Sequence, residues 1–110
     1  MTEMHLPKPI AAFVRAENSG DFDSMSECFA PGATVRDEGH FYEGLPAIKE
    51  WTARTKKKYK HTVTPLEIQT HDGVATLKAR LSGEFPGSPV TTNFHFALVN
   101  DQITALQIRS

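Results

Sequence analysis

The sequence predicts an α+β domain, with helices in its first half and an antiparallel sheet in its second. Three observations predict it. Apolar residues recur at helical spacing up to Tyr59. From His61 onward the apolar period changes to two. Between these stretches Gly, Pro, Asn and Asp gather where the chain has to turn. Helices segregated from a run of consecutive strands make α+β rather than an alternating α/β fold.

Pro7 and Pro9 suit the first turn of a helix, where a missing N–H costs nothing. Ile10, Phe13, Val14 and Glu17 follow on one face, an apolar stripe that turns polar at its end. Asn18-Ser19-Gly20 closes the helix, with Gly20 able to take the left-handed conformation. Asp21 is placed to cap a second short helix, whose Phe22, Met25 and Phe29 share a face. Pro31-Gly32 ends it. Ala33 to Asp37 reads as a short strand and His40 to Glu43 as its return, with Glu38-Gly39 as the turn. Gly44-Leu45-Pro46 opens the most regular helix. Its core stripe is Ile48, Trp51, Thr52, Thr55 and Tyr59, with Lys49, Lys56, Lys57 and Lys60 mostly outside it.

Val63 to Thr70 is a strand, and Pro65 marks it as an edge or a bulge. His71-Asp72-Gly73 turns the chain. Ala75, Leu77, Ala79 and Leu81 alternate with Thr76, Lys78, Arg80 and Ser82, giving one buried and one wet face. After Pro86-Gly87-Ser88-Pro89 comes a long strand, Val90 to Val99. It sets Phe94, Phe96 and Leu98 on one side and Asn93, His95 and Ala97 on the other. Asn100-Asp101 turns, and Ile103 to Ile108 completes a meander of four strands.

The 110 residues suit one domain, 1–110, and no repeat or linker divides them. A hydrophobic content of 39% and a charged content of 23% are ordinary for a globular protein. A net charge of −1 gives no electrostatic reason to expect nucleic acid. Lys56-Lys57-Lys58 with Lys60 reads as a solvated face at a helix C-terminus, where positive charge is favourable. The single cysteine, Cys28, rules out an internal disulfide and a CxxC site. Its neighbours Glu27 and Phe29 supply no positive setting to activate a thiol. No H-x-x-x-H or facial-triad spacing occurs, so no metal is expected. Met1 to Pro9 has no apolar leader core, and no run approaches the ~20 apolar residues of a membrane span. The expectation is a cytoplasmic protein that engages no membrane.

Three segments carry a family resemblance: Asn18-Ser19-Gly20-Asp21-Phe22-Asp23, Phe29-Ala30-Pro31-Gly32-Ala33-Thr34-Val35-Arg36-Asp37, and Tyr42-Glu43-Gly44-Leu45-Pro46-Ala47-Ile48-Lys49-Glu50-Trp51. Phe96, Leu98, Asp101 and Ile103 continue it. In this order they resemble the SnoaL-like and ketosteroid-isomerase-like families of the nuclear-transport-factor-2-like superfamily. The resemblance covers nearly the whole chain. It implies a cone-shaped, strongly curved sheet (antiparallel, or mixed) wrapped around the N-terminal helices, a cystatin-like or SnoaL-like α+β barrel holding an apolar cavity. The superfamily mixes enzymes with non-catalytic modules, so function has to be argued from the site.

Asp37 is the first candidate. It ends its strand on the face of Ala33 and Val35; if that face is the cavity wall, burial raises its proton affinity. A general base for a carbon acid needs that. In the ketosteroid isomerases, the resemblance implies, the proton-shuttling aspartate ends this same strand. The competing role for Asp37 is to accept hydrogen bonds in the turn before Gly39. Those isomerases stabilise an enolate with a tyrosine on the first helix and a protonated aspartic acid on a late strand. The first position is Phe13 here; the second falls at Asn93 or Phe94, depending on register. Losing one such donor costs about 10²–10³ in rate, which argues against steroid isomerisation.

His40, three residues past Asp37, and His95, on the Asn93 face, are the candidate assisting acids or bases. His5, His61 and His71 are expected at the surface. Phe13, Trp51, Tyr59 and Asn93 are the candidate ligand-binding residues, Trp51 as a wall for a flat apolar molecule. The function expected is a small-molecule pocket, acting by acid–base chemistry on an apolar carbonyl-bearing compound without a cofactor. The alternative is a non-catalytic ligand-binding or dimerisation module on the same fold. The mixed outer face of the long strand, with the resemblance, leads us to expect a homodimer through the sheet.

Overall fold

The first helix, α1 (Lys8–Ser19), begins after Pro7 and carries Pro9 in its first turn. It buries Ile10, Phe13, Val14 and Glu17, the stripe legible in the sequence. It stops at Gly20, whose φ of 76° lets its N–H fold back onto the Ala16 carbonyl at 2.9 Å. The next turn is a 3₁₀ helix, Phe22–Glu27, shorter than the expected helix. Asp21 makes no side-chain bond to its backbone and instead accepts from the Ser24 hydroxyl at 2.7 Å. Phe29 already belongs to strand β1 (Phe29–Asp37), which runs through Pro31-Gly32 instead of starting at Ala33. Pro31 has no N–H to give, and the pairing of β1 slips between Phe29 and Thr34.

The computed structural model describes residues 5–109, so the first four residues of the Met1 to Pro9 stretch lie outside it. Beyond β1 come β2 (His40–Glu43), α2 (Leu45–Tyr59), β3 (Thr62–His71), β4 (Val74–Ser82), β5 (Val90–Val99) and β6 (Gln102–Arg109). The last four strands form the expected antiparallel meander. Its β3–β4 and β5–β6 turns carry positive φ at both central residues, Asp72-Gly73 and Asn100-Asp101, the geometry of tight hairpins. β1 then joins β6 in parallel, which makes one mixed sheet of six strands in the order β2-β1-β6-β5-β4-β3. The sheet does not close: β2 and β3 are its edges. Pro65 sits in edge strand β3, beside a slip in register between Pro65 and Glu67.

One face of the sheet is covered by the helices. Val35, Leu77, Phe96 and Leu106 pack there with Ile10 and Phe13 of α1 and Ile48 and Trp51 of α2. Phe13 is the hub, its ring 5.9, 6.0 and 5.4 Å from those of Phe29, Phe94 and Phe96. Each large side chain buried this way contributes about 1.5–3 kcal/mol. Among the described residues, no helix is long and apolar enough to cross a membrane.

Candidate functional site

Residues directly paired across a sheet share a face. Asp37 is paired with His40 on β2 and with Ile108 on β6, and Ile108 with Phe94 on β5. His40, Asp37, Ile108 and Phe94 therefore form one row on the inner face. Val35, in the next row, is paired with Tyr42. Helix α2 closes over this end. The Trp51 indole N–H donates to Asp37 Oδ2 at 3.2 Å, and the Tyr42 ring lies 5.9 Å from the Trp51 ring. The Arg54 guanidinium sits 5.7 Å over Tyr42 and donates to its hydroxyl at 3.2 Å.

These side chains form one wall of an open cavity of about 1380 Å³. Its lining includes Leu81, Phe94 and Ile108 from the sheet. A second wall comes from the end of α1 and the corner between α2 and β3, with Glu17, Tyr59, His61 and Val63. Here Glu17 Oε2 lies 2.7 Å from His61 Nε2, and the side chains are only 3% and 12% exposed. Neighbouring residues hold the pair in register. The Asn18 amide donates to the Val63 carbonyl at 3.0 Å and accepts from the Val63 N–H at 2.7 Å. Lys56 Nζ donates to the His61 carbonyl. Gly83 completes the corner: a Cβ there would meet the Tyr59 carbonyl oxygen at 2.6 Å and His61 Cα at 2.9 Å.

The profile of the SnoaL-like domain matches residues 10–106. The chain belongs to the SnoaL-like family. A solved structure from Sinorhizobium meliloti, named as a candidate polyketide cyclase, is 37% identical to it over 99% of this chain and 100% of that one, with a TM-score of 0.93. Two more distant structures show the fold alone. One is a Catenulispora acidiphila protein with a ketosteroid-isomerase-like fold, solved with trimethylamine; it is 21% identical over 96% and 87% of the chains, TM-score 0.85. The other is an epoxide hydrolase/cyclase-like enzyme of pyran-ring formation in salinomycin, 19% identical over 92% and 86%, TM-score 0.78. No curated protein matches the chain.

Of the residues nominated from sequence, this SnoaL-like domain brings Asp37, His40, Trp51 and Tyr59 to the cavity. His40 is exposed at its mouth and makes no hydrogen bond to Asp37. Three others lie elsewhere, which corrects their expected place. Phe13 is wholly buried in the core. Asn93 and His95 sit on the outer face by strand parity; Asn93 is paired with Lys78 and Arg109, and His95 Nδ1 meets the Thr76 hydroxyl at 3.2 Å. Phe94, not Asn93, faces inward. Of the positions at which the isomerase resemblance places enolate donors, Phe13 and Phe94 are two rings in contact, while Asn93 faces outward. His5 and His71 are exposed, but His61 is not at the surface as expected. Its signal was Glu17, a carboxylate on an apolar helical stripe.

Burial pushes the Asp37 carboxyl above the ordinary carboxylate range. The Trp51 N–H and, more weakly, His40 oppose this, while the charges of Glu38 and Glu17 add to it. Cys28 is fully buried in the core, and desolvation raises its thiol to about 11. It has no part in the cavity. Among the described residues, no three His, Cys, Asp or Glu side chains cluster as metal ligands would.

Proposed function

We propose that this SnoaL-like domain is an acid–base catalyst of the cyclase or isomerase type. In this reading Asp37 removes a proton from the carbon beside a carbonyl group of an apolar compound. The observation that carries it is the position of Asp37: a half-buried carboxylate on the cavity wall, with Oδ2 held by the Trp51 indole N–H. Burial makes it a stronger base than a solvated carboxylate, while the indole fixes its orientation and leaves Oδ1 to react. The C–H bond breaks, the proton passes to Asp37, and the electron pair spreads onto the carbonyl oxygen. The enolate then attacks a second carbonyl, closing a ring, or takes the proton back at another carbon. The 37% identical relative named as a candidate polyketide cyclase supports a ring-forming reaction of this type.

A simple probe tests it. 2-Tetralone is a flat apolar ketone whose acidic hydrogens exchange in D₂O at a rate read by NMR. The protein should accelerate exchange, and Asp37→Asn should lower that acceleration by ~10²–10⁴, the worth of a positioned base. Binding without acceleration, unchanged in Asp37→Asn, would instead support the non-catalytic ligand-binding module.

We also propose a homodimer through the outer face of the sheet. Phe41 and Val74, 53% and 42% exposed, flank a shallow depression floored by Ala97 and Ala105. Apolar side chains grouped on an uncovered face favour a partner surface. Sedimentation should give a dimer that Val74→Glu converts to monomer; a monomeric wild type at micromolar concentration overturns it.

A further inference from the structure

We infer that His61, oriented by Glu17, is the general acid that protonates the carbonyl oxygen while Asp37 takes the proton from carbon. This deepens the reading of Asp37 as base and rests on it. Three observations lead here. First, the donors that the isomerase resemblance implies are missing. Phe13 and Phe94 have no hydrogen to give, and Asn93 lies on the outer face of the sheet. A carbon acid still needs its enolate oxygen stabilised, because one such donor is worth about 10²–10³ in rate.

Second, the cavity holds a polar pair that the base does not use. Glu17 and His61 meet at 2.7 Å, almost wholly buried, and both line the cavity. A carboxylate oxygen facing Nε2 requires that nitrogen to be the donor. Nδ1 is then the free position of the ring. Among the described residues, no buried side-chain nitrogen or oxygen lacks a hydrogen-bond partner. Nδ1 makes no hydrogen bond within the protein, so it is not fully enclosed, and His61 lines the open cavity. A histidine whose one nitrogen is held by a carboxylate while the other faces a cavity is oriented for proton transfer.

Third, the topology separates acid from base. Asp37 ends β1, beside edge strand β2; His61 precedes β3, the other edge strand. The Asn18–Val63 amide pin, one and two residues away from the pair, fixes this second wall. A substrate between the walls presents its acidic carbon to Asp37 and its carbonyl oxygen to His61. The substrate class is therefore an apolar ketone whose carbonyl oxygen points away from Asp37, across the cavity toward His61. The step balances. The C–H bond breaks and its proton goes to Asp37. The C–H electron pair becomes the new C=C bond, and the carbonyl π pair becomes an O–H bond to the proton leaving Nδ1 of the imidazolium. The products are an enol, a neutral Asp37 and a neutral His61 still donating through Nε2 to Glu17. Glu17 acts through His61 and is a positioning residue.

Two probes separate this inference from the one beneath it. 2-Tetralone exchange needs a base and an acid, because its oxygen becomes strongly basic. 5-Nitrobenzisoxazole needs the base alone: proton removal breaks its N–O bond and releases a stable phenolate. Asp37→Asn should lower both rates. His61→Gln should lower tetralone exchange about 10²-fold or more, the usual worth of a positioned acid, and change the elimination less than threefold. Glu17→Gln keeps the shape and an acceptor for Nε2; it should lower kcat for exchange about tenfold or more, with KM and the elimination little changed. A merely structural role would depress both probes together. If both reactions depend on Asp37 and neither His61→Gln nor Glu17→Gln separates them, the acid assignment is wrong while the base stands. If neither reaction depends on Asp37, both readings fall.

Discussion

The Trp51 indole N–H and the Asp37 carboxylate face each other across 3.2 Å, one from α2 and the other from the end of β1. Burial raises the proton affinity of Asp37, and this bond lowers it. The two effects set the pH at which the base is free. A hydrogen bond to the charged form favours ionisation, so its removal makes Asp37 harder to ionise. Trp51→Phe keeps an aromatic ring against Tyr42 and removes only the donor. The acid limb of the pH–rate profile, measured on 2-tetralone exchange, should move to higher pH, so that activity falls most in mildly acidic buffer. A limb that stays in place would show that the indole does not tune Asp37.

The same shift predicts a stability effect of definite sign. Asp37 binds its proton more tightly in the folded than in the unfolded chain. Stability from this group is complete below the unfolded carboxyl value, near ~3.9, and is lost as pH rises through the higher folded value. At neutral pH the ionised Asp37 therefore costs stability. Asp37→Asn still accepts from Trp51 and carries no charge. Urea unfolding should find it more stable than wild type at pH 7, with the difference shrinking toward pH 4. A variant that melts lower at pH 7 would show Asp37 to be chiefly a turn residue.

Much of this site was legible because short-range patterns fix it. Asp37 shares a face with Ala33 and Val35 by strand parity, and Trp51 shares a stripe with Ile48 by helical period. The parity of β5 also separates Phe94 and Phe96 from Asn93 and His95; only the choice of face and register had to come from the structure. What was not legible is long-range. A period of two reads the same whether β6 receives a parallel or an antiparallel neighbour, so the β1–β6 pairing is silent in the sequence. His61 sits between helix and strand, in neither period, and its burial comes from Glu17, 44 residues earlier. The Pro31-Gly32 break hides the early start of β1, because both residues read as a stop.

Cys28 should be inert in the native protein. Burial raises its thiol to about 11, and its Sγ donates to the Met25 carbonyl at 3.5 Å. The thiolate is the reactive form, and neither ionisation nor access favours it here. Ellman's reagent at pH 8 should label less than a tenth of the thiol in an hour under native conditions, and one thiol per chain in guanidinium. The labelling rate then reports opening of the core. Rapid labelling of the native chain would contradict the buried placement.

Asn18 supplies the last test, because it ties α1 to the wall that carries His61. Its amide bonds both the N–H and the carbonyl of Val63, as a neighbouring strand would, on the edge strand β3. Asn18→Asp keeps the acceptor for the Val63 N–H but turns an oxygen toward the Val63 carbonyl, where a donor was. Leaving a largely buried acceptor unpaired costs about 1–3 kcal/mol. In a domain of this size each kcal/mol lowers Tm by about 4–8 °C. Asn18→Asp should therefore melt roughly 4–24 °C lower than wild type. Where it remains folded, the loosened β3 should carry His61 away from Glu17. Tetralone exchange should then fall more than nitrobenzisoxazole elimination, the pattern expected of Glu17→Gln. A variant that melts like wild type would mean that the Asn18 amide does not hold this corner.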